Sequence, residues 1–193
     1  MIAYAINAAI DSQMFDRVIV STDDKEIAKV ANDWGAETPF VRPPELSDDI
    51  TPTVPVINHT IEHYAQQDEM PTFVCCIYPC VPFITPQDIQ ESYNTMINYN
   101  ADSCFPILEY PSAPQRAIRR DEISGKIEFM FSDFKLKRTQ DLEPAFHDAG
   151  QFYWGRPAAF LRDDKVLSSP KSLPIVVRRD TVVDIDTSED WDF

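Results

Sequence analysis

Over the first hundred residues, segments with helical period alternate with segments of strand period, and this limits the chain to layers of sheet and helix. The opening MIAYAINAAIDSQMFDRVIVSTDD sets Ile2, Ile6, Ala9 and Ile10 at helical spacing, then runs into Arg17 to Ser21, RVIVS, which reads as a buried strand. Asp23 or Asp24 is placed to cap a second helix carrying Ile27, Val30, Ala31 and Trp34 on one face, with Gly35 ending it. A short strand from Thr38 to Val41 is expected next. Pro43, Pro44 and Pro52 then forbid regular pairing, so VRPPELSDDITPT reads as a loop, and its length favours a functional one.

A third helix is expected over roughly Thr53 to Gln67. Thr72 to Tyr78, TFVCCIY, is a continuous apolar strand, and Thr85-Pro86 caps and starts a helix running to Tyr99. The alternation predicts an α/β fold: a Rossmann-like, mostly parallel sheet with helices on both faces. Beyond ADSCFPI the pattern turns to short, charged pieces, read as an arm inserted at about residues 110–145, before GQFYWG restores a strand. The last residues, LPIVVRRDTVVDIDTSEDW, read as a strand, a second short strand and a helix start capped near Thr187 or Ser188. One domain over residues 1–193 is the expectation for a chain of this length with 44% hydrophobic residues.

Charge narrows the partners. A formal net charge of −15 repels phosphate backbones and anionic membranes, which disfavours nucleic acid. The basic residues Arg116, Arg119 and Arg120, then Lys135, Lys137 and Arg138, form a local patch suited to a small anion. Cys75, Cys76, Cys80 and Cys104 have no metal-ligand spacing and read as free thiols of a reducing cytoplasm. No signal-like segment or long apolar run points to a membrane.

Four constellations can carry chemistry. In DIDT, Asp184 and Asp186 lie two apart at a strand end, so alternation puts both carboxylates on one face, where a cation such as magnesium with a substrate phosphate relieves their repulsion. Solvated loop acids are the plain alternative. In IYPCVPF two prolines force the chain out of the sheet at the carboxyl edge, where open α/β sheets bind ligands, although a structural turn explains them as well. His59, Glu62 and His63 match an inverted zinc-protease pattern, but no partner motif follows, and an amphipathic helix is the preferred reading. FHDAGQFYWG gathers His147, Asp148, Gln151, Tyr153 and Trp154 around a glycine, a density that suits a sugar's hydroxyls and apolar face as well as a core strand. The glycines are Gly35, Gly125, Gly150 and Gly155, and none builds a phosphate-cradling loop. The first strand and phosphate loop that normally precede such an opening helix would have to lie before residue 1.

Taken in order, VIVSTDD, PFVRPPELSDD, CCIYPCVPF, HDAGQFYWG and DIDTSEDW resemble the pseudaminic acid cytidylyltransferases, of the CMP-sialic acid synthetase superfamily and nucleotide-diphospho-sugar transferase type. The resemblance covers the whole chain. It implies transfer of CMP from CTP to an acidic nine-carbon sugar with release of pyrophosphate, for cell-surface glycans such as those of flagellin, by a cytoplasmic homodimer whose arm reaches the neighbouring subunit. Arg42, Thr51 and Thr53 resemble the segment around the cytosine, and Asp184 and Asp186 the magnesium-binding pair. Tyr78 resembles the floor of the sugar pocket, and His147, Asp148 and Gln151 its wall. Arg116 or Arg138 would meet the sugar carboxylate of the partner's site.

Cys80 stands where the family usually has threonine. Family members begin earlier, with a strand and a glycine-rich basic loop that holds the triphosphate, so Met1 reads as an internal methionine of a longer ancestor. A chain without that loop is expected to bind CTP weakly and to turn over slowly or not at all. The alternatives are an inactive truncated paralogue that keeps sugar binding or dimerisation, and a synthetase acting on a sialic or legionaminic acid.

Overall fold

The computed structural model describes residues 1–161, 169–183 and 185. Two of its helices start where the sequence supplies caps. The Asp24 carboxylate accepts the N–H groups of Glu26 and Ile27, at 2.7 and 2.9 Å, to start α2 (Lys25–Asp33). The Thr85 hydroxyl accepts the Asp88 N–H at 3.2 Å and donates to the Asp88 carboxylate at 2.6 Å, starting α4 (Pro86–Asn98) with proline in its first turn. Before them lies α1 (Ile2–Ser12), and between them α3 (Thr53–Ala65).

The main sheet is built from β1 (Val74–Ile77), β2 (Ser103–Glu109), β5 (Phe146–Asp148), β6 (Phe152–Gly155) and β7 (Ser172–Val176). β6 lies antiparallel between β1 and β2, β5 continues antiparallel along β2, and β7 runs parallel on the other edge of β2. Thus β1, β2 and β7 all point one way, and a single reversed strand, broken into β5 and β6, returns between them. The reversal follows from the insertion. Residues 110–145 leave the sheet after β2 and carry a separate hairpin of β3 (Ile118–Arg120) and β4 (Ile127–Phe129) before the chain re-enters at β5.

Helices cover both faces. Ala5 and Ala8 of α1 and Ile89 and Met96 of α4 bury Cys104, Phe152, Trp154 and Ile175 on one side. On the other, Ile57 and Ile61 of α3 and Phe160 of α5 (Pro157–Leu161) close over Val74 and Cys76. Gly155 is required at the end of β6, because a Cβ there would stand 2.6 Å from the buried Phe160 ring.

Two expected strands form less structure than their pattern suggests. RVIVS makes a single parallel bridge, Ile19 to Glu37, with Val20 N–H donating to the Glu37 carbonyl at 2.9 Å, and Thr38 to Val41, just after it, forms no strand. Pro39 has no donor to continue that ladder. With so little sheet beneath it, α2 buries only Ala31 fully, and Ile27, Val30 and Trp34 remain 45, 42 and 49% exposed. After β7 the chain makes a 3-10 turn at Arg179–Thr181, and the second strand, expected to end at Asp184 and Asp186, runs outside the described residues. The expected cap at Thr187 or Ser188 lies outside the described residues.

Candidate active site

The site forms where β1 ends and the reversed strand breaks. Between the pairs Asp148–Ile107 and Trp154–Cys104, six residue steps on the reversed strand face three on β2, so residues 149–151 bulge out of the ladder. Pro106 explains the place of the break. A strand residue directs its N–H and C=O to one edge. The Pro106 carbonyl accepts the Ala149 N–H at 3.1 Å, so the donor that proline lacks is missing on the bulged side. Gly150 takes the left-handed turn at φ 64°, which a side chain would strain.

The bulge aims polar groups at the end of β1. Asp148 receives the Gly150 N–H on Oδ1 at 2.9 Å and the Tyr153 hydroxyl on Oδ2 at 2.7 Å. The Tyr153 ring packs edge-on against Tyr78 at 5.5 Å and tilted against Phe105 at 6.0 Å. Tyr78, the residue after β1, shares a hydrogen bond of 2.8 Å with the hydroxyl of Thr53, the first residue of α3. Its own N–H is fixed to the Gln151 carbonyl at 2.9 Å. Burial first, and then the Asp148 carboxylate that the hydroxyl faces, push the Tyr153 phenol well above the usual tyrosine range, so it stays a protonated donor.

The structure thus brings Thr53, Tyr78, Asp148 and the Gln151 backbone together. The Gln151 side chain is buried, and its Nε2 donates to the Thr181 carbonyl at 2.9 Å, tying the bulge to the 3-10 turn at 179–181. His147 Nδ1 donates to the Asp148 carbonyl at 2.8 Å, and its ring rests on Tyr110 at the root of the arm, 4.7 Å between centroids. Arg42 and Thr51 belong to the proline-rich loop and brace it from within. Arg42 Nε donates to Ser47 Oγ at 3.1 Å, its guanidinium lies 3.8 Å from Asp23, and the Thr51 hydroxyl donates to the Glu45 carbonyl at 3.2 Å. The Thr51 N–H also donates to Asp48 at 2.6 Å, and with the Ile50 N–H it holds that carboxyl below its usual range.

Asp184 and Asp186, the expected metal ligands, lie outside the described residues. Among the described residues no group of three or more His, Cys, Asp or Glu is arranged to hold a metal. His59 and His63 instead flank Phe40 at 4.7 and 4.8 Å, and His63 Nε2 meets Gln67 at 2.9 Å. Trp154 is core: it stacks on Phe15 at 5.0 Å and donates to the Ile89 carbonyl at 3.0 Å. In the arm, Arg138 pairs with Asp141 through two hydrogen bonds of 2.8 and 2.9 Å, and Arg116 donates to Thr139 at 3.3 Å.

Tyr153 is the residue of this cluster whose place the sequence left open between sugar contact and core. Strand alternation puts it on the face opposite Trp154, which is the signal that separates the two aromatics. The cluster holds a carboxylate, two phenols and a threonine hydroxyl, with no adjacent nucleophile and base. It suits binding of a hydroxyl-rich ligand, with the ligand itself supplying the reacting group.

Comparison with known proteins places this geometry. A family model described as cytidylyltransferase matches residues 1–180. The chain is 37% identical to the pseudaminic acid cytidylyltransferase of Campylobacter jejuni subsp. jejuni serotype O:2, over all of this chain and 82% of that protein. It is 26% identical to the CMP-N,N'-diacetyllegionaminic acid synthase of Legionella pneumophila, over 99% of this chain and 82% of that one. Among solved structures, the CMP:2-keto-3-deoxy-manno-octonic acid synthetase complexed with CTP superposes with a TM-score of 0.61 at 10% identity, over 91% of this chain and 79% of that chain. That likeness shows the nucleotide-sugar transferase fold, and the family match together with the full-length relative shows that the chain belongs to the cytidylyltransferase family.

Proposed function

We propose that this cytidylyltransferase activates pseudaminic acid, an acidic nine-carbon sugar, by transferring to it the CMP group of CTP. The observation that carries the reading is the 37% identity to a pseudaminic acid cytidylyltransferase along the entire chain, against 26% to the legionaminic acid enzyme. The polar cluster at the end of β1 supports it. Tyr78, His147 and Asp148 form a floor and wall that offer acceptors and aromatic faces to a sugar, with Gln151 fixing the bulge from beneath. Arg42 and Thr51 of the braced loop, with Thr53 at the start of α3, hold the cytosine side of CTP.

The anomeric hydroxyl of the sugar attacks the α-phosphorus. An O–P bond forms to the sugar, the bond from that phosphorus to the β-phosphate oxygen breaks, pyrophosphate leaves, and the hydroxyl proton passes to solvent. Asp184 and Asp186 would hold a magnesium ion, which would neutralise charge at the phosphates. The chain's own side chains position the two substrates. A homodimer through the arm, a cytoplasmic location and a role in supplying donor for cell-surface glycans, flagellin among them, complete the proposal. The four cysteines are unpaired, in keeping with a reducing compartment.

Replacing one metal ligand tests the assignment. Made in a version that carries the family's glycine-rich loop, Asp186→Ala is expected to lower CTP-dependent pyrophosphate release at least a hundredfold at saturating magnesium, and full activity of that variant would remove the residue from the mechanism.

A further inference from the structure

We infer that Tyr153 is a positioning residue of the sugar pocket, its hydroxyl clamping Asp148 in the bulge and its ring tying that carboxylate through Tyr78 to Thr53 at the start of α3. This rests on the sugar assignment above and goes beyond it, because it gives a function to a side chain that packing alone does not explain.

Three observations carry it. Tyr153 is buried to 8% exposure, beside Phe152 and Trp154, which are buried completely or almost so. Phenylalanine would fill the same space, and a hydroxyl taken from water destabilises the fold unless it is hydrogen-bonded. Its partner is the Asp148 carboxylate at 2.7 Å, a charge-assisted bond of the stronger kind.

The second observation is the bulge. Pro106 offers residues 149–151 no N–H; the Ala149 N–H bond to the Pro106 carbonyl and the Gln151 bonds to Tyr78 and Thr181 fix the two ends, and Asp148 holds Gly150 at the turn between them. Asp148 spends one oxygen on the Gly150 N–H and the other on Tyr153. A carboxylate has about four acceptor positions, so each oxygen keeps one for a ligand hydroxyl. The clamp fixes where those remaining lone pairs point.

The third is continuity. Tyr153 meets Tyr78 ring to ring at 5.5 Å, and Tyr78 bonds Thr53 at 2.8 Å. The wall assigned to the sugar and the helix start assigned to the nucleotide are therefore joined through two phenols. Moving Asp148 without disturbing Tyr78 is difficult in such an arrangement.

Titration calorimetry with free pseudaminic acid on the full chain, on Tyr153→Phe, on Asp148→Ala and on the double variant tests the clamp. Tyr153→Phe is expected to weaken sugar binding about tenfold. If Tyr153 acts through Asp148, the double variant binds no more weakly than Asp148→Ala alone. An unchanged affinity in Tyr153→Phe, or a double variant about tenfold weaker than Asp148→Ala, would overturn the proposal. A second measurement needs no ligand. Hydrogen exchange at residues 148–151 is expected to quicken about tenfold in Tyr153→Phe while exchange in α4 stays unchanged. Should the wild-type chain bind no pseudaminic acid, the substrate assignment falls and the exchange result alone decides the clamp, an unchanged rate at 148–151 removing it.

Discussion

At the scale of single residues, ionisable groups are set by what surrounds them. Cys76 lies under α3 and α5, and burial pushes its thiol up to about 12 from an ordinary 9.0. A thiol whose folded value is raised stabilises the fold fully below its unfolded value, and that contribution is lost as pH rises from about 9 toward 12. Thermal unfolding is therefore expected to move to lower temperature between pH 9 and 11, and the decline is expected to be smaller in Cys76→Ser, which carries no ionising thiol there. An equal decline in both proteins would show that Cys76 is not the group responsible. Burial on the other face likewise raises Cys75 and Cys104, so all three thiols stay protonated near neutral pH and offer little thiolate there.

At the scale of elements, caps and turns were legible and pairing was not. Asp24 and Thr85 announce α2 and α4 because an N-cap is a local bond between neighbours in sequence. The reversal of β5 and β6 leaves no such local mark: a buried strand looks alike in either direction, and β1 carries the apolar run expected of a parallel neighbour while pairing antiparallel with β6. RVIVS has the composition of a strand and finds one bridge, since pairing depends on a partner distant in sequence. The candidate site divides similarly. His147, Asp148 and Gln151 stand out as a polar run inside an apolar one. The contact of Thr53 with Tyr78, 25 positions apart, had no local signature.

The arm shows an element whose sequence and surface disagree until a partner is supplied. The register of β3 and β4 puts Ile118 opposite Phe129 and Arg120 opposite Ile127, so the two isoleucines and the phenylalanine share one face. All three are at least 40% exposed, and Met130, Phe131 and Leu136 beside them are exposed too. A two-stranded hairpin is marginal alone, and an apolar face of this kind is what a second copy would cover. Phe129→Asp is expected to convert a dimer into a monomer in sedimentation, with little effect on the far-ultraviolet circular dichroism of the sheet domain. A wild-type chain that sediments as a monomer would contradict the arm-mediated homodimer.

At the scale of the whole molecule, the proposed function asks a strongly acidic chain to take two anions, whose repulsion a divalent cation would offset. No helix among the described residues is long and apolar enough to cross a membrane. Competition among acceptors tests the sugar assignment. A version carrying the family's glycine-rich loop, with CTP and magnesium, is given equal concentrations of pseudaminic, N,N'-diacetyllegionaminic and N-acetylneuraminic acids, and the CMP-sugars formed are separated and weighed by mass spectrometry. CMP-pseudaminic acid is expected as the main product, at least tenfold over either competitor, with none formed without a divalent cation. A product mixture led by another sugar, or no CMP-sugar at all, would contradict the assignment.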